Sequence, residues 1–214
     1  MTDIHEPARA IAKACLNHVP FDGWTEDTLA MAASDCGFNS HDWQVYLSAG
    51  VIDAILLNGQ MADEEMASAF HALETAPEKT HLKIRELILI RLHQGRPHKE
   101  AIAKTVSYLA QPRYASAASK SLYASVDAMW RAAGDEATDF SFYSKRATLA
   151  GVYSATLLCF LADDSPNLEK TEAFLDRRLK DVAQIPKLTA PAKAAVGRLS
   201  SLVSSLAAGV RRPF

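Results

Sequence analysis

The chain has 214 residues, with 23 Lys and Arg against 25 Asp and Glu, 49% hydrophobic and 22% charged residues. That balance excludes a fibre, a disordered tail and a small disulfide-rich toxin, and allows one large domain or two small ones. Alanine (37) outnumbers Val plus Ile (19) and Gly plus Pro reach only 18, so helix formers dominate and an all-β or α/β chain is excluded.

The net charge of −2 is a cancellation. Residues 1–78 carry 2 basic and 13 acidic groups, and residues 182–214 carry five basic groups (Lys187, Lys193, Arg198, Arg211, Arg212) and no acid. Cys15, Cys36 and Cys159 are odd in number and widely spaced, which indicates neither a disulfide framework nor a zinc site and fits a reducing cytoplasm. The opening Met1-Thr2-Asp3-Ile4-His5-Glu6 has no basic n-region and no apolar h-region. The uncharged run 147–162 has 16 residues, short of the roughly 20 that span a bilayer. A cytoplasmic protein that does not cross a membrane is expected.

Apolar residues recur at helical spacing almost throughout, with breaks at 20–23, Gly37, Gly59, Pro77, 95–97, Pro112, Gly134, 165–166 and 186–191. The partition predicts about ten helices and an all-α fold. Three parts are expected: 1–57, 58–185 and 186–214. In the first, helices are predicted from about Ala8 to His18, from Thr25 to Cys36, and from Ser40 to Leu47 after a tight Gly37-Phe38-Asn39 turn. Further on, Asp139 and Pro166-Asn167 mark the starts of helices over 140–162 and 168–185.

Cys36-Gly37-Phe38-Asn39 followed by Trp43, Tyr46 and Leu47 resembles the turn and second helix of tetracycline-repressor-type regulators. A ligand-responsive regulator of that type is the alternative reading. The charges oppose it. Affinity for duplex comes largely from Lys and Arg that neutralise phosphates. The candidate recognition helix offers His41 and Asp42, and Gly50 stands where such repressors usually carry a phosphate-binding Lys. A protein-contact or scaffold role, with no nucleic-acid partner, is expected.

Catalytic constellations are missing: no GxSxG, GxGxxG or GxxxxGK pattern occurs. Glu78-x-x-His81 is a single E-x-x-H, whereas a diiron bundle needs two and further inward-facing Glu residues. The seven His are scattered, so no metal site and no catalytic residue is expected. Asp163-Asp164-Ser165 reads as a loop and helix cap.

The densest chemistry lies in 122–185. Asp127 and Arg131 are an i, i+4 pair, and Met129 and Trp130 begin an aromatic group that Phe140, Phe142 and Tyr143 continue after a turn. From pattern alone the block is either a core with ion pairs around it or an interface with Trp, Tyr and Arg anchors. The run Asp127-x-x-Trp130-Arg131-x-Ala-Gly134-Asp135-x-x-Thr138-Asp139-Phe140-x-x-Tyr143-x-Lys145-Arg146-x-x-Leu149-Ala150-x-Val152-Tyr153-x-x-Thr156, then Ser165-Pro166 and Phe174-Leu175-Asp176-Arg177-Arg178, closely resembles the coenzyme Q (ubiquinone) biosynthesis accessory family, that of the ninth Coq protein and its bacterial relatives. Departures are Phe142, where the family often has Trp, and Ala137, where a small hydroxyl residue is common.

The resemblance implies a tetracycline-repressor-like all-α fold that has lost DNA binding. It implies a non-enzymatic protein that holds an isoprenoid, quinone precursor or phospholipid in place of a cofactor and assists a diiron hydroxylase of ubiquinone synthesis. A homodimer, peripherally associated with the inner membrane, is expected. Lipid is assigned to Leu149, Val152, Tyr153, Thr156, Leu157 and Phe160, and the hydroxylase to Met129, Trp130, Arg131, Asp135, Asp139, Phe142, Tyr143 and Arg146. Small and large residues mix in 147–162, as in a cavity wall or a plain core.

In the tail, Val196, Leu199, Leu202, Val203, Leu206 and Val210 fall within an arc of about 120° at 100° per residue. Lys193, Arg198, Arg211 and Arg212 flank the stripe, which suits an interfacial helix on anionic lipid. Packing on its own domain or in a dimer interface remains the alternative.

Overall fold

The computed structural model describes residues 5–135 and 140–183, without the side chains of residues 5, 140 and 141. Among the described residues there are eight α-helices before residue 162 and no strand: α1 (His5–Asp22), α2 (Glu26–Asp35), α3 (Trp43–Tyr46), α4 (Val51–His71), α5 (Thr80–Gly95), α6 (Lys99–Leu109), α7 (Ala115–Ala132) and α8 (Phe140–Leu161). Short 3₁₀ turns at Arg96–His98 and Pro112–Tyr114 use the two predicted proline breaks. The chain divides into two units, Met1–Leu175 and Asp176–Phe214. In the first, residues 169–175 are helical; in the second, residues 176–183 are helical and Arg178 pairs with Asp181 at 2.8 Å. The expected border at 57/58 falls inside α4, and 186–214 lies outside the described residues.

The helix ends are made by local chemistry. Thr25 caps α2: its Oγ accepts from the Thr28 N–H at 3.1 Å, while the Thr28 hydroxyl donates to the Gly23 carbonyl at 2.8 Å. At the other end Gly37 takes φ +80°, letting the Phe38 N–H reach the Ala33 carbonyl and the Gly37 N–H the Ser34 carbonyl, both at 3.0 Å. The next helix is shorter than predicted. The Asp42 carboxylate accepts from the Asn39 N–H at 2.9 Å, holding residues 39–42 in a turn and leaving only Trp43–Tyr46 for α3.

Two other differences have simple causes. Helix α1 carries Pro20 in its last turn, where the loss of one N–H interrupts little, and ends at Asp22. Helix α4 runs through Gly59, because a helix-interior glycine costs only about 1 kcal/mol and Ala54, Ile55, Met61, Met66 and Phe70 are buried around it.

Ile11, Cys15 and Val19 of α1, Leu29, Ala32 and Ala33 of α2, Trp43 of α3, Leu47 just after it and Ala54 of α4 form one buried core, which Ala101 of α6 joins. The N-terminal helices are thus a packed part of the first unit. Met66, Leu87, Ile88, Leu92, Val126, Met129 and Phe160 are buried farther along the same unit.

Candidate functional site

Two features of the first unit stand out. The first is a cavity of about 300 Å³ between α1, α4, α5, α6 and α8. Its apolar wall includes Leu16, Ile55, Leu92, Ile102, Leu157 and Phe160, with Trp24 beside them. Trp24 is held by its indole N–H, which donates to Thr105 Oγ1 at 2.9 Å. One edge is polar. Arg91 donates through Nε to Asp63 Oδ1 at 3.1 Å, and the Ser125 hydroxyl donates to Asp63 Oδ2 at 2.8 Å, tying α4, α5 and α7 together. Burial pushes the Asp63 carboxyl up, against the pull of Arg91 and Ser125. Burial likewise pushes the Tyr153 phenol up, so that it is neutral at pH 7.

Of the residues assigned to lipid, Tyr153, Leu157 and Phe160 line this cavity. Leu149, Val152 and Thr156 are buried and are not among the residues that line this cavity. Thr156 returns its hydroxyl to the Val152 carbonyl at 2.7 Å. The walls given by α1, α4, α5 and α6 were not anticipated. The one local signal was Arg91, a charge set in the apolar run Leu87-Ile88-Leu89-Ile90-Arg91-Leu92.

The second feature joins the end of α7 to the start of α8. Gly134 takes φ +83°, the Gly134 N–H reaches the Arg131 carbonyl at 2.9 Å and the Asp135 N–H the Trp130 carbonyl at 3.0 Å. That turn carries Asp135 to Arg146 of α8. Arg146 donates Nε to Asp127 Oδ1 at 2.7 Å and a guanidinium N–H to Asp135 Oδ2 at 3.3 Å. Lys145 closes on Asp135 at 2.7 Å and Arg131 on Asp127 at 2.7 Å. The hydrogen bond from Lys145 holds the Asp135 carboxyl below the ordinary carboxylate range. Lys145 also lies 5.5 Å from the Trp130 ring centre and the Arg146 guanidinium 3.4 Å from that of Phe142. The Trp130 indole N–H is buried without a hydrogen-bond partner among the described residues.

This arrangement sorts the residues assigned to a partner. Arg131 (78% exposed side chain) and Tyr143 (66%) face outward, and Trp130 and Phe142 are half-buried. Met129 is fully buried and Arg146 is 3% exposed, so they position the face from beneath rather than form its surface, because core packing and ion pairing take their side chains. Asp135 is held in the same ion-pair cluster, and Asp139 lies outside the described residues, as do Val196, Leu199, Leu202, Val203, Leu206 and Val210. Among the described residues no group of three His, Cys, Asp or Glu is placed to hold a metal, and no helix is long and apolar enough to cross a membrane.

The helical frame is a tetracycline-repressor-like fold. A solved TetR transcriptional regulator from Nitrosomonas europaea ATCC 19718 superposes with a TM-score of 0.61 over 83% of this chain and 98% of that one, at 18% identity, a likeness of fold alone. Residues 115–186, which hold both α7 and α8, match the COQ9 family. The mitochondrial ubiquinone biosynthesis protein COQ9 of Rattus norvegicus is 33% identical over 80% of this chain and 57% of its own length. The Homo sapiens protein of that name is 32% identical over 80% and 56%, and that of Schizosaccharomyces pombe 29% over 79% and 67%. The chain is thus similar to COQ9 proteins over about 80% of its own length and spans a little more than half the length of most of the curated relatives it matches.

Proposed function

We propose that this protein is a non-enzymatic accessory factor of ubiquinone biosynthesis that encloses an isoprenoid quinone precursor and presents it to a diiron hydroxylase. The observation that carries the reading is the apolar cavity walled by Leu157 and Phe160 of α8, within the segment that matches COQ9. A polyprenyl chain gains about 0.8 kcal/mol for each CH₂ taken from water. A 300 Å³ cavity is at the small end of ligand pockets, roughly 300–1,000 Å³, which fits a ring and the first isoprene units. The face of Trp130, Arg131 and Tyr143 pairs exposed charge with aromatic rings, the composition of interface anchors, and is the surface we assign to the hydroxylase. The basic amphipathic stripe from Val196 to Val210 is assigned to anionic membrane.

Native mass spectrometry of the full chain tests the lipid role: a co-purified isoprenoid, quinone or phospholipid is expected. Leu157→Trp, which fills the cavity, is expected to abolish that adduct with the helical content unchanged. A lipid-free wild-type protein that also takes up no added prenylquinone would overturn the reading.

A further inference from the structure

Most polar groups around the cavity are engaged by the protein or withdrawn from the cavity. Asn58 donates its amide to the Ala12 carbonyl at 2.6 Å. Thr105 donates to the Ala101 carbonyl at 2.8 Å while accepting from Trp24. Lys13 and Glu65 pair with each other at 3.9 Å on exposed side chains. Gln94 donates Nε2 to the Glu65 carbonyl at 3.3 Å, and its Oε1 is shut off from solvent. His98 lines the cavity as well, but an imidazole can offer either a donor or an acceptor and by itself selects neither. Arg91 and Tyr153 are different. Arg91 uses Nε for Asp63, and neither its Nη groups nor the Tyr153 hydroxyl has a hydrogen-bond partner among the described residues. Among those residues, the unpartnered side-chain N and O atoms sealed from solvent are Gln94 Oε1 and Trp130 Nε1. The Nη groups and the phenol oxygen therefore keep accessible surface. Both residues line the cavity, although the Arg91 side chain is only 14% and Tyr153 only 6% exposed. Helices α5 and α8, which carry them, pack together, and the field of the guanidinium reaches the phenol.

The polarity of this pair is settled by its chemistry. A guanidinium only donates. Burial keeps the Tyr153 phenol protonated, and the neighbouring cation turns the O–H dipole so that its hydrogen points away from Arg91. Both residues then offer hydrogens to the cavity, and the group that satisfies them is an oxygen with lone pairs and no hydrogen of its own. Asp63 already balances the charge of Arg91. A carboxylate or phosphate would bring a second negative charge into a nearly dry site with one buried cation, at a large desolvation cost. We propose that Arg91 and Tyr153 are the oxygen-recognition pair of the cavity and that both donate to a neutral carbonyl oxygen on the ring of the enclosed lipid. Leu157 and Phe160 then take the first isoprene units. This assignment rests on the lipid-carrier reading and names the group by which the ring is held, a quinone-type carbonyl.

Tyr153→Phe isolates the pair, because it removes a hydroxyl that no protein group uses, whereas Arg91 also holds Asp63. Full-length wild type and variant are dialysed to equilibrium against a cyclodextrin carrier loaded with one of two compounds. One is the para-quinone geranyltrimethylbenzoquinone; the other is geranylpentamethylbenzene, in which methyl groups replace the two oxygens. The variant is expected to bind the quinone about tenfold more weakly than wild type does, the contribution of one hydrogen bond to a buried oxygen, and to bind the hydrocarbon as wild type does. Loss of both compounds alike, or of neither, overturns the pair and leaves the lipid cavity standing. Binding of neither compound by wild type overturns both. Tighter binding of geranyl phosphate than of the quinone by wild type overturns the choice of a neutral acceptor. If the variant does not fold, the carbonyl stretch of the quinone bound to wild type decides: it is expected below its frequency in hexane, and an unshifted band overturns the pair.

Discussion

Arg146 shows how much rests on one side chain. It is 3% exposed and spans two nearly buried carboxylates, Asp127 and Asp135, one on α7 and one on the turn beyond it. Replacing it with Met leaves both without their central counter-charge, and loss of one member of a buried ion pair costs about 3–5 kcal/mol. A fall of that size in urea-derived stability is expected for Arg146→Met. Lys145 and Arg131 remain on the outer carboxylate oxygens, so a loss below about 1 kcal/mol would show that the inner guanidinium is redundant. The same cluster sets a pH dependence. The Asp135 carboxyl titrates lower in the folded protein than in the unfolded chain, so its contribution is complete above the unfolded value of about 3.9 and disappears as pH falls below it. The stability gap between wild type and Asp135→Asn should be largest near neutrality and close as the pH falls below the unfolded value of about 3.9. Asp63 runs the other way, since burial raises its carboxyl and favours the fold when it is protonated. Subtracting the variant from wild type removes that opposing trend.

At the scale of elements, what the sequence made legible was what neighbouring residues decide. Thr25, Gly37 and Gly134 mark helix ends because a cap or a left-handed turn is settled within five residues, and the structure has those turns where the sequence puts them. Gly59 and Pro20 misled, because whether a breaker breaks depends on what packs around it and how near the helix end it stands. The cavity was half legible: α8 shows its Tyr153, Leu157 and Phe160 in one apolar run, whereas the opposite wall is gathered from α1, α4, α5 and α6 and has no local signature. The face proposed for a partner was legible as a cluster but not in its orientation, since Met129 and Trp130 are adjacent in sequence and only packing decides which is buried. Gly134 tests how far the α7–α8 turn positions that face. At φ +83° an L side chain is strained even though no atom lies within 4 Å of an added Cβ. Gly134→Ala should cost about 1 kcal/mol, measurable as a lower melting temperature. Because Asp135 follows directly, the strain should also weaken the pairing of Lys145 with it, and the variant's acid transition should move to higher pH than that of wild type. An unchanged melting temperature would show that the turn relaxes without strain.

For the molecule as a whole, the decisive property is a fold shared with DNA-binding proteins and a charge distribution that contradicts DNA binding. Each phosphate neutralised by a protein cation contributes a slope of about −0.9 in log affinity against log salt. Residues 1–78 hold only Arg9 and Lys13 against 13 acids. Arg9 is paired with Glu64 at 2.7 Å and Lys13 with Glu65 at 3.9 Å, so both cations of that segment are matched by carboxylates of α4. The segment's helix-turn-helix therefore has close to no free cation to release counterions. Its third helix is a single turn, Trp43–Tyr46, with Trp43 buried in the core, so two of the four side chains, Gln44 and Val45, are left as its most outward positions. Random-sequence duplex at about 50 mM salt, where phosphate contacts are strong, should give no retardation with micromolar full-length protein. Removing the last 25 residues, which hold Lys193, Arg198, Arg211 and Arg212, should leave that result unchanged. A shift that persists in the truncated chain and fades as salt is raised would restore the regulator reading. A shift seen only with the full chain and lost on truncation would place the nucleic-acid affinity in the basic tail, where anionic lipid vesicles should compete for it.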